Sequence, residues 1–119
     1  MRTPFGDRDA GAARTVDLPD LESKYAAELS LAFEAMRLAG YEPAALRKLV
    51  SAAGARKASQ LVADLPDPTE AFLALNRLGR LDLSVEAHMT KPECVGLFES
   101  ASTAAAHARL VRYGYTAAR

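Results

Sequence analysis

Residues 21–40 read LESKYAAELSLAFEAMRLAG, and this stretch decides the fold. Leu21, Tyr25, Leu29, Phe33 and Met36 recur at helical spacing and share one face. Asp20 and Glu22 stand at the positive end of the implied helix, and Gly40 stops it. A helix from about Pro19 or Leu21 to Ala39 is therefore predicted. The same stretch carries a second apolar stripe, Ala27, Leu31 and Leu38, roughly opposite the first. A helix apolar on two sides is either sandwiched inside its own domain or shared with another chain. Few short elements remain to cover it, so sharing is the favoured reading, and Ala27, Leu31 and Leu38 are the predicted partner-binding residues.

Working outward from this helix, Pro43 suits the first turn of a second one that ends at Gly54 and buries Leu46, Leu49, Val50 and Ala53. A third runs from about Ala55 to Asp64 on Ala58, Leu61 and Val62. Leu65-Pro66-Asp67-Pro68 breaks the chain, and Asp67, Pro68 and Glu70 read as the N-cap, N1 and N3 positions of a capping box. That fourth helix reaches Leu78 and closes at Gly79. A short helix near Ser84 to Met89, a turn before Pro92, a short turn through Phe98 and a last helix from about Ser100 to Tyr113 complete the pattern. Ala101, Ala104, Ala108 and Val111 are the predicted inner face of the last helix. No run alternates with period two long enough for a strand. The expectation is an all-α fold, a compact bundle of five or six short helices in a single domain over residues 19–116. Residues 1–18 have almost no large apolar side chains and read as a flexible tail.

The stretch GRLDLSVEAHMTKPECVGLFESASTAAAHARLVRYGY, residues 79–115, resembles a pattern of small bacterial all-α domains. Gly79 to Leu83, Val85 to Ala87, Leu97-Phe98, Arg109-Leu110 and Gly114-Tyr115 carry the likeness. It implies a helical fold and no activity. It also implies that Arg80, Asp82 and Glu86 form a polar cluster at a helix junction, with Asp82 or Ser84 capping and Arg80 pairing with Glu86.

Fifteen basic and fifteen acidic side chains cancel, which argues against coating nucleic acid or anionic membrane with the whole surface. Cys94 is the single cysteine, so a disulfide framework within the chain is excluded. No segment reads as a signal peptide or membrane span, so a cytoplasmic location and no membrane partner are expected. The charge is nonetheless arranged in blocks. Residues 43–63 contain Arg47, Lys48, Arg56 and Lys57 and no acid.

His88, Cys94 and His107, with Glu86 and Glu93 nearby, are the candidates for a metal or nucleophilic site. Their spacing matches none of the paired-ligand motifs, so no metal and no cofactor are expected. Cys94 and His107 as a catalytic pair would need a thiol of lowered pKa, and a packed cysteine is the simpler reading. The helix pair around Gly54 has the outline of a helix-turn-helix, in which Arg47, Lys48, Arg56, Lys57 and Gln60 would meet nucleic acid, with Arg56, Gln60 and Ala63 facing outward on the second helix. The sequence thus points first to a non-enzymatic interaction or regulatory module that associates with itself or with a protein partner. A small DNA-binding regulator using residues 43–64 is the alternative, and a Cys/His enzyme the third reading.

Overall fold

The apolar stripe of the first helix is the spine of the core in the computed structural model, which describes residues 18–115. Along α1 (Leu18–Ala39), Tyr25, Leu29, Ala32, Phe33 and Met36 are buried, while Leu21 is partly covered. Burying a large apolar side chain of this kind stabilises a fold by ~1.5–3 kcal/mol. The helix closes when Tyr41 N–H donates to Met36 O at 2.9 Å and Gly40 N–H to Arg37 O at 3.1 Å. The predicted tail lies outside the described residues, except that Leu18 belongs to α1.

α2 (Ala44–Ala53) and α3 (Ala55–Asp64) are separated by Gly54 alone. Its φ of 88° and ψ of 158° lie where glycine alone is comfortable, which lets two helices meet without a loop. α2 buries Leu46 and half-buries Leu49, Val50 and Ala53. α3 is a central element, packed against α1, α2, α5 and α6, and buries Ala55, Ala58, Ser59, Val62 and Ala63. Two expectations fail here. Leu61 is 43% exposed, and Ala63 faces inward, because the helix turns its smallest side chains to its many neighbours.

α4 (Glu70–Leu78) is capped by Thr69, whose Oγ1 accepts from Phe72 N–H at 3.1 Å. The capping box expected from Asp67, Pro68 and Glu70 does not form. Asp67 stays in the exposed break, two residues too early, and Glu70 is the first helical residue. Gly79 ends α4 in the left-handed conformation, as expected. A 3₁₀ turn at Leu81–Leu83 leads to α5 (Val85–Met89), every residue of which is buried. Ser84 caps α5 by accepting from Ala87 N–H, and donates its own hydroxyl to Leu81 O at 2.7 Å. A second 3₁₀ segment, Pro92–Leu97, passes under α1, where Phe98 meets Tyr25 edge to face at 5.2 Å.

α6 (Ser100–Arg112) packs on α3 and α5. Its inner face is Ser102, Ala106, Arg109 and Leu110. The predicted face of Ala101, Ala104, Ala108 and Val111 is exposed instead. The structure is an all-α bundle of six helices, with no strand among the described residues. No described helix is long and apolar enough to cross a membrane.

Candidate functional site

The outer face of α1 follows from its inner one. With Tyr25, Leu29, Phe33 and Met36 fixed in the core, residues half a turn away must point out. Leu31 is 71% exposed, Leu38 is 73% exposed, and Ala27 is exposed one turn before Leu31. Among the described residues no element covers this stripe, so the described bundle does not sandwich α1. Glu34 lies between the two leucines, and Arg37 flanks it. Arg37 Nε donates to Glu34 Oε2 at 3.0 Å, and Arg47 stands 3.7 Å from Glu34 Oε1. The Arg37 hydrogen bond holds the Glu34 carboxyl below the usual carboxylate range, and Glu34 in turn raises the Arg37 guanidinium.

At the α2–α3 corner, much of the positive charge is already held. Arg47 Nε donates to Glu42 at 2.7 Å, and its guanidinium stands over the Phe33 ring, 5.8 Å from the centroid. Arg56 Nε donates to Glu22 of α1 at 2.5 Å. Lys48 and Lys57 are exposed. Gln60 does not project outward as the helix-turn-helix outline requires; it is partly buried, with Oε1 closed off and without a hydrogen-bond partner among the described residues.

The polar cluster expected from Arg80, Asp82 and Glu86 is split. Arg80 makes a two-pronged, exposed pair with Asp82, at 3.0 and 3.1 Å. This lowers the Asp82 carboxyl and raises the Arg80 guanidinium. Glu86 is 1% exposed and pairs with Arg109 of α6 at 2.9 Å. The physical reason is direction: Asp82 lies on the outside of the 3₁₀ turn, whereas α5 turns all its side chains inward. Arg109, which the sequence reading missed, also donates to Val62 O at 3.3 Å and to Leu65 O. It thereby satisfies carbonyls at the C-terminal end of α3, where a cation suits the helix dipole. Beside it Ser102 donates to Asp64 at 2.8 Å. Burial raises the Glu86 carboxyl in spite of Arg109. The available signal was chemical: an acid inside the apolar run Leu83 to Met89 needs a buried cation somewhere in the chain.

Of the three residues with reactive chemistry, Cys94 and His88 are buried and His107 is exposed. Cys94 is buried beneath α1, and burial, with Glu28 and Glu93 nearby, pushes its thiol up. His88 is buried, its Nδ1 2.9 Å from Ser84 O, so that nitrogen carries the proton and donates. Burial keeps His88 below its usual pKa. His107 faces solvent on α6. Among the described residues no group of three or more His, Cys, Asp or Glu could hold a metal ion.

Comparison with protein-family models, with curated proteins and with solved structures finds no match to this chain.

Proposed function

We propose that this chain is a non-enzymatic interaction or regulatory module, working in the cytoplasm, that binds a protein through the outer face of α1. The observation that carries the reading is the pair Leu31 and Leu38, each more than two-thirds exposed on a helix whose other face is committed to the core. Covering a leucine contributes up to ~1.5–3 kcal/mol, so two of them offset a useful part of the cost of association. Ala27 extends the stripe by a turn without obstructing a partner. The raised Cys94 thiol and the buried, neutral His88 favour packing roles over nucleophilic ones.

The DNA-binding reading of residues 43–64 has weaker support. A recognition helix needs a protruding face, whereas five of the ten residues of α3 are buried. Arg47 and Arg56 are held by acids, which leaves Lys48 and Lys57 to meet phosphate. Duplex DNA is expected to bind weakly and to leave with modest salt. A sequence-selective footprint at physiological salt would reverse this ordering.

The interaction reading is tested by Leu31→Glu with Leu38→Glu. The variant should keep cooperative thermal unfolding, and should lose both self-association by light scattering and the proteins that the wild type captures from its native cells. Loss of cooperative unfolding, or an unaltered set of captured proteins and an unaltered molar mass, would refute it.

A further inference from the structure

Resting on the interaction reading, we infer that the partner on the outer face of α1 is a second copy of this chain, packed antiparallel across a twofold axis near Glu34 and Ala35. A twofold interface must be complementary to itself, with the same surface on both sides. The α1 strip meets that requirement. At about 100° per residue, Leu31, Glu34 and Leu38 fall within about 60° of one another, and Arg37 lies about 60° further round on the Glu34 side. A twofold axis perpendicular to two antiparallel helices brings the same flank of each together. Leu31 then meets Leu38 of the second copy, twice, and Glu34 meets Arg37 of the second copy, twice. The axes implied by the two pairings differ by one residue, about 1.5 Å along the helix, well within the reach of an arginine side chain.

The charges are in a state to make this contact. Glu34 and Arg37 are already paired within the chain, yet their side chains remain 49% and 51% exposed. Bringing two such pairs together converts them into a four-charge network, without burying an unpaired ion. A parallel pairing in register lacks this property, because its twofold runs along the helices and puts the Glu34 and Arg37 flanks of the two copies on opposite sides of the contact. Ala27 falls near the turn that follows α1 in the second copy, where a small side chain leaves room. With the axis near Glu34 and Ala35 the two α1 helices overlap over about residues 30–39, roughly 15 Å, so the helix pair sits at the low end of interface sizes. The dimer is accordingly weak and reversible.

Sedimentation equilibrium of the full chain tests this with two charge reversals. Glu34→Arg gives positions 34 and 37 the same positive sign and Arg37→Glu gives them the same negative sign, so each variant alone should be at least about tenfold weaker in self-association than the wild type. Mixed in equal amounts, they should form a heterodimer at least as tight as the wild-type dimer, with circular dichroism confirming that both are folded. A wild type that stays monomeric at several hundred micromolar overturns the inference, as does a dimer indifferent to both reversals or a mixture that does not associate. A monomer that still loses a captured protein on Leu31→Glu with Leu38→Glu would overturn this inference alone and leave the interaction reading standing.

Discussion

Glu86 and Arg109 are the side chains on which the interior depends most. Each is almost fully buried, and removing one partner strands the other charge. Arg109→Ala should therefore cost ~3–5 kcal/mol in urea unfolding, since it also strips a donor from the Val62 and Leu65 carbonyls. Glu86→Leu combined with Arg109→Met should cost clearly less than the sum of the single changes. Additive losses would show that the two do not act as a pair. The sequence reading paired Glu86 with Arg80 because sequence proximity was the available guide. A buried pair 23 positions apart depends on how α6 docks, which no local pattern encodes. His88 gives a pH-dependent signature. Its pKa is lowered in the fold, so the unfolded chain takes up the proton first; the contribution is present above about pH 6.5 and is lost as pH falls. Glu86 acts in the opposite sense: its pKa is raised, so its contribution is full below about pH 4.3 and is lost as pH rises through the raised value. His88→Asn keeps a donor near Ser84 O and removes the titration. It should flatten the loss of urea midpoint between about pH 7 and pH 5.5, and an unchanged slope would assign that loss to another group.

The ends of the helices were largely legible, and their faces less so. Gly40, Gly54 and Gly79 stop α1, α2 and α4 where glycine signals place them, because a positive φ is a local demand. Gly54→Ala should cost ~1–3 kcal/mol from backbone strain alone, since a Cβ there meets nothing within 4 Å. Gly96→Ala, equally unobstructed and without a positive φ, is the control and should be close to neutral or mildly stabilising. Thr69→Ala should cost about 1 kcal/mol and Asp67→Ala almost nothing, which distinguishes the cap that forms from the one the Asp-Pro signal suggested. α6 shows why a face can be illegible. Ala101, Ala104, Ala105, Ala106 and Ala108 make nearly every side of the helix small and apolar, so periodicity carries little contrast. Its orientation goes with two polar contacts, Ser102 to Asp64 and Arg109 to Glu86.

For the molecule as a whole, the all-α architecture was readable because 3.6-residue spacing and glycine stops agree along most of the described chain. The two-sided character of α1 was also readable, since Leu31 and Leu38 have no place in the stripe that Met36 anchors. What the sequence left open was whether the bundle would fold over them, and the structure leaves them exposed. α3, with its central position and its charges shared with α1, is a poor surface for a nucleic acid. In the reading proposed above, the outer face of α1, with Leu31 and Leu38 exposed, is the one that meets a protein. The most direct measurement is site-specific photo-crosslinking in the native cells, with the photoreactive side chain placed at Leu31, at Leu38 or, as an exposed control on α6, at Ala104. A discrete protein adduct from positions 31 and 38 and none from position 104 is the predicted result. No adduct from the two α1 positions, or the same adducts from all three, would contradict the claim that this face is where the protein works.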